Sequence, residues 1–145
     1  MTLQAVLLPV FVQFGLMTFL LLWMVADRQK LFKSGALRFK DIALGQQEPL
    51  PLLSRQIGNA YNNQFQMPVL FLALVPLVIL ARKADLTFVV LEWCFVVSRL
   101  MHAYVHTTSN HGTSRGNWFA VGSSILLLMW AFFAVRLFLS PPIEI

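Results

Sequence analysis

Four runs of about 20 apolar residues limit this chain more than any other feature it has. A run of that length crosses a hydrocarbon core roughly 30 Å thick. Lipid offers the backbone no hydrogen bonds, so each crossing run must close its own as a helix. The runs predict helices over 3–26, 52–81, 86–107 and 116–139, joined by a long basic loop over 27–51 and two short turns. Residues 1–145 therefore read as one all-α integral membrane domain, a four-transmembrane-helix bundle. A membrane barrel would need alternating strands of about ten residues, and the sequence holds no such alternation. The composition, 58% hydrophobic and 12% charged, excludes an ordinary soluble domain of this length.

The net charge of +5 raises nucleic acid as a partner, and the placement of the cations rejects it. They sit at helix ends and in the 27–51 loop, where they meet lipid headgroups and set orientation. Arg28, Lys30, Lys33, Arg38, Lys40, Arg55 and Arg115 fall on one side, against Arg82, Lys83 and Arg136 on the other. The positive-inside rule then puts loop 27–51 in the cytoplasm and both termini across the membrane. The first run lacks the basic start and small-residue cleavage site of a signal peptide, and is read as a span. The lone Cys94 has no partner for an intrachain disulfide and reads as a small buried apolar residue.

Within the spans, Pro9, Pro68 and Pro76 are expected to bend helices without ending them. Gly15 offers a close-packing point on the first helix. Gly116, Ala120 and Ser124 recur every four residues and predict a small-residue contact face on the last.

Two polar stripes interrupt this apolar scaffold. On the second span Arg55, Asn59, Asn62 and Gln66 are spaced four, three and four, with Asn63 beside them. On the third, Glu92, Arg99, His102 and His106 are spaced seven, three and four. Each spacing keeps its residues on one helical face. Neither face belongs against lipid, so the two are expected to meet each other or a neighbouring subunit. With Arg115 they would line a pocket for an anionic, hydrogen-bonding ligand. If that ligand carried a thiol, a nearby arginine would favour the thiolate. A lipophilic small-molecule substrate could enter from the bilayer. The same polar residues could instead serve only to hold helices together. Glu92 is the obvious internal counter-ion for Arg99, and such a pair would make Arg99 less available to a ligand. His102 and His106, with His111 nearby, have a spacing that can hold a metal. No carboxylate or cysteine matches them in depth, so no metal site is assigned.

The segment Asn63-Gln64-Phe65-Gln66-Met67-Pro68-Val69-Leu70-Phe71 resembles the second-helix signature of bacterial members of the MAPEG family, membrane-associated proteins in eicosanoid and glutathione metabolism. Phe95 through His106, on to Asn110 and Arg115, resembles its third-helix signature and following loop. The resemblance implies a homotrimer with glutathione as co-substrate, bound between subunits near the cytoplasmic side. It implies a glutathione site at Arg55, Asn59 or Asn63, Arg99, His102 and Arg115, with Gln66 among the ligand-facing residues. Arg115 and His106 are the residues it places nearest the chemistry. Two departures stand out. Gln66 replaces a usual glutamate, and His106 replaces the tyrosine of the catalytically active eukaryotic branch.

Three functions follow as expectations. The first is a glutathione-dependent transferase or peroxidase acting on lipophilic electrophiles. The second is a non-catalytic structural or accessory subunit, copurifying in a larger membrane complex. A transporter has little support, since the sequence carries no internal repeat.

Overall fold

The computed structural model describes residues 1–43 and 45–141. Leu44 and residues 142–145, which include the Pro142 expected to follow the last helix, lie outside the described residues. Four helical spans cross the molecule in alternating directions. The first is α1 (Leu3–Lys33); the second is split into α2 (Leu52–Asn62) and α3 (Met67–Leu80); the third is α4 (Leu86–Thr107); the fourth is α5 (Gly112–Phe138). Large apolar side chains face outward all round, Phe11 at 66% and Leu127 at 69% exposure among them. A surface of that kind belongs in lipid. The chain is a multi-pass integral membrane protein.

Three helix boundaries differ from the sequence expectation, each for a local reason. The first helix continues past Ala26 to Lys33. The charged residues after Ala26 leave the hydrocarbon but contain no breaker. The helix ends only where Gly35 turns into the left-handed region, φ 72°. The last helix begins at Gly112 rather than at 116, because the His111 ring caps it by accepting from the Ser114 N–H. The second span is not continuous. Pro68 lies in the first turn of α3, where its missing N–H costs nothing, and the preceding Asn63–Phe65 form a 3₁₀ turn. Pro68 thus breaks the span rather than bending it, while Pro9 and Pro76 remain inside unbroken helices.

The bundle is apolar at the end that carries the termini and polar at the end that carries the 34–51 loop. The core packs Phe71, Val75 and Val78 of α3 against Phe88, Phe95 and Val96 of α4 and Met129 of α5. The Phe71 and Phe95 rings stack with centroids 4.8 Å apart. At the boundary between the halves, Gln13 of α1 donates to the Gln64 side chain at 3.0 Å, and Gln64 donates to the Ala60 carbonyl. Both glutamines are fully buried. Nearer the loop end, Asp27 accepts a hydrogen bond from Ser54 and ties α1 to α2.

Small residues pack differently from expectation. Gly116, Ala120 and Ser124 are all exposed, and Gly15 has open space around it. The close approach is at Gly122, where a Cβ would lie 2.6 Å from Ser98 Oγ of α4. Cys94 is exposed rather than buried. Gly122→Ala should therefore destabilise the protein by about 1–3 kcal/mol. Adding Ser98→Ala should recover most of that loss in thermal unfolding in detergent.

At the termini end Asp85 caps α4 by accepting from the Phe88 N–H at 2.9 Å, and its carboxylate meets Arg136 of α5 at 2.6 Å. Burial opposes its charge, but the Phe88 bond and the Arg136 guanidinium outweigh it and hold the carboxyl below its ordinary 3.8. The folded-state value is the lower one. The stabilisation is thus complete above the unfolded value and is lost as pH falls through the folded one. Between about pH 6 and pH 3 the wild type should lose more stability than Arg136→Gln, because the variant has less of this linkage to lose.

Candidate functional site

At the loop end, α2, α4 and the first turns of α5 enclose a cavity of about 480 Å³. The two polar stripes meet there. Asn59, Asn62, Asn63 and Gln66 form one wall and His102 and His106 another. The third wall is Gly112, Arg115, Gly116 and Phe119 of α5.

Arg99 is not in the wall. It is the largest fully buried side chain, at 0% exposure, and lies behind the lining. Its Nη2 donates to Asn63 Oδ1 and lies 3.5 Å from His102 Nδ1. Its guanidinium carbon is 5.9 Å from the centre of the Phe119 ring. Glu92 does not neutralise it. Both Glu92 oxygens are buried with no hydrogen-bond partner, and no ion pair joins the two among the described residues. Two turns of helix separate them, about 10 Å along the axis. Arg55 also lies outside the lining, half-buried at the start of α2 with its Nε unpartnered.

A guanidinium can only donate, and this fixes the groups in front of it. Asn63 must turn its oxygen inward to Arg99. Its amide nitrogen then donates to Gln66 Oε1 at 3.0 Å, which leaves the Gln66 NH₂ free. His102 must hold its Nδ1 as an acceptor, so its proton sits on Nε2. From the loop, Gln47 donates to Asn59 Oδ1 at 3.0 Å and leaves the Asn59 NH₂ free in the same way. Arg115 is steadied by the Asn110 side chain, to which it donates; Asn110 itself sits in the left-handed region at φ 47°. The first turn of α5 brings Gly112 into the wall at the positive end of a 27-residue helix. The His106 Nδ1 is buried without a partner, its ring set edge-on to His102 at 5.5 Å.

The arrangement is thus a wall of hydrogen-bond donors with one guanidinium at its rim and a second behind it. It favours acceptors and negative charge. Of the residues expected at the site, Asn59, Asn63, Gln66, His102, His106 and Arg115 are brought together, and Arg55 and Arg99 stand apart from the cavity. The α5 contributions at Gly112, Gly116 and Phe119 were missed. They share a face with Arg115, a pattern visible once the helix is started at His111 instead of four residues later. Among the described residues no cluster of three potential ligands is placed to hold a metal.

Fold and site together define a four-span membrane protein with a donor-lined cavity at one end of its bundle. The MAPEG family model matches residues 6–135, which include all of both polar stripes, and the chain belongs to the MAPEG family. No curated protein and no solved structure matches it.

The orienting role of Arg99 has a direct consequence for stability. Asn63→Leu removes its buried acceptor and should cost about 1.5–3 kcal/mol in unfolding experiments. Asn62→Leu, on the exposed neighbour, should stay within about 0.5 kcal/mol of wild type.

Proposed function

We propose that this protein binds glutathione or a similar anionic thiol in the cavity between α2, α4 and α5, and conjugates it to, or uses it to reduce, lipophilic electrophiles. The single observation that carries the reading is the donor wall, with Arg115 at its rim and Arg99 holding its amides and imidazole in place. In that setting a ligand carboxylate meets Arg115 and the first turn of α5. A thiol nearby loses its proton more readily beside a fixed cation. Arginine cannot take that proton, whereas the His106 imidazole lines the same cavity and is a ring that can accept one. The thiolate sulfur then attacks a substrate arriving from the bilayer: at an electrophilic carbon it forms a C–S bond as the leaving group departs with its electron pair, and at a peroxide oxygen it breaks the O–O bond to give an alcohol and a sulfenic acid, which a second thiol converts to disulfide and water. The exposed Gly116 leaves the α5 side of the cavity low-walled toward that approach.

Family membership supports a homotrimer in which a neighbouring subunit completes the site, with Arg55, half-buried and partly unpartnered, as a residue available to it. The distribution of cations supports a cytoplasmic loop 34–51 and both termini across the membrane. One observation favours a second reading, a non-catalytic subunit that keeps the fold inside a larger membrane complex. Two of the three arginines expected to grip a ligand, Arg55 and Arg99, do not line the cavity.

Calorimetry with the purified protein and glutathione separates the two. Arg115→Ala should weaken binding by about 10- to 100-fold, as expected for loss of a charge-assisted hydrogen bond. Wild-type protein that binds no glutathione and conjugates no electrophile would leave the accessory reading.

A further inference from the structure

The cavity is lopsided in its hydrogen-bonding chemistry. Arg115 can only donate, and it stands at the positive end of α5. The free ends of Gln66 and His102 also donate, because their acceptor atoms are turned to Asn63 and Arg99. No carboxylate lines the cavity among the described residues. The nearby acids lie outside the lining, the exposed Glu48 beside Gln47 on the loop among them. Asp27 accepts from Ser54. Glu92 lies ten residues along α4 from His102, about 15 Å at 1.5 Å per residue. The acceptors that remain, Asn62 Oδ1 and the second lone pairs of the Asn59 and Gln66 amide oxygens, carry no charge.

An ammonium group makes the opposite demand. It has three donors and no acceptor, and when taken from water it needs a counter-ion. Placed in this cavity it would face other donors, with the Arg99 charge behind them. We infer that the cavity selects against a free ammonium group: among small anionic thiols it takes those whose carboxylates are unaccompanied by an amine cation. The inference rests on the anionic-thiol reading and narrows it. Glutathione carries its carboxylates together with one such amine, so it is a weaker ligand than an otherwise identical thiol without it.

Gln66 is the specificity-determining position. A glutamate there would keep the hydrogen bond from Asn63 on one oxygen and present the other, charged, to the cavity. The test is calorimetric titration of the full chain in lipid nanodiscs with two probes, glutathione and its deaminated analogue. Wild type should bind the deaminated thiol about tenfold more tightly, and Gln66→Glu should erase or reverse that ratio. Asn62→Asp, which adds a carboxylate at a different point of the same wall, should shift the ratio the same way and covers the case in which Gln66→Glu does not fold. Equal or tighter binding of glutathione by wild type, with the ratio unmoved in a folded variant, overturns the inference while leaving the anionic-thiol reading standing. If wild type binds neither probe, that reading fails and the inference falls with it.

Discussion

A guanidinium buried inside a membrane bundle, with no carboxylate among the described residues paired to it, sets the terms for everything around it. Arg99 can donate and never accept, so each group it touches must show it an oxygen or a lone pair. Asn63 and His102 comply, and in doing so they turn their donors the other way. The polarity of the cavity is therefore decided one layer behind its surface. A charge in this position is tolerated because the loop end of the bundle is already polar, with amides on α2 and imidazoles on α4 sharing its desolvation.

The split in the second span makes this division workable. One continuous helix would have to serve two partners, a polar cavity above and a tightly packed apolar core below. Breaking it at Asn63–Phe65 lets α2 aim its amides at the cavity while α3 aims Phe71, Val75 and Val78 into the core. Gln64 sits at this joint, donating to the Ala60 carbonyl and accepting from Gln13, whose own side-chain oxygen stays buried without a partner. Below it the core is held as any helix bundle is, by interdigitating side chains and by one close backbone approach at Gly122.

Much of this was legible in the sequence, because a bilayer leaves few alternatives. Apolar length fixed the number of spans, and helical spacing fixed the faces of both stripes. What the sequence concealed was whatever depends on a third element. Charge after Ala26 marks the hydrocarbon boundary and turn-forming residues over 108–115 suggest a late start for the last helix, while Gly35 and the His111 cap mark where the helices themselves stop and start. The small-residue spacing at Gly116, Ala120 and Ser124 pointed to a contact that lies instead at Gly122, since spacing shows that small residues share a face but not which face meets a neighbour. The face it shares with His102, the cost of burying a guanidinium and the family resemblance all make Arg99 a ligand residue on sequence alone. Its depth below the wall depends on where Phe119 and Asn63 come to rest, and neither follows from periodicity on α4.

The 3₁₀ turn in the middle of the second span carries one more implication. Such a turn advances about 120° per residue where an α-helix advances about 100°. Its three residues, with the non-helical Gln66 after them (φ -101°, ψ -103°), take the faces of α3 out of the phase that α2 would have given them. The angular offset between cavity and core is thus written into the number of residues between Asn62 and Met67 rather than into their side chains. Inserting or deleting a single residue in this joint would rotate one half of the span against the other and put either the core residues or the amides out of phase with the rest of the bundle.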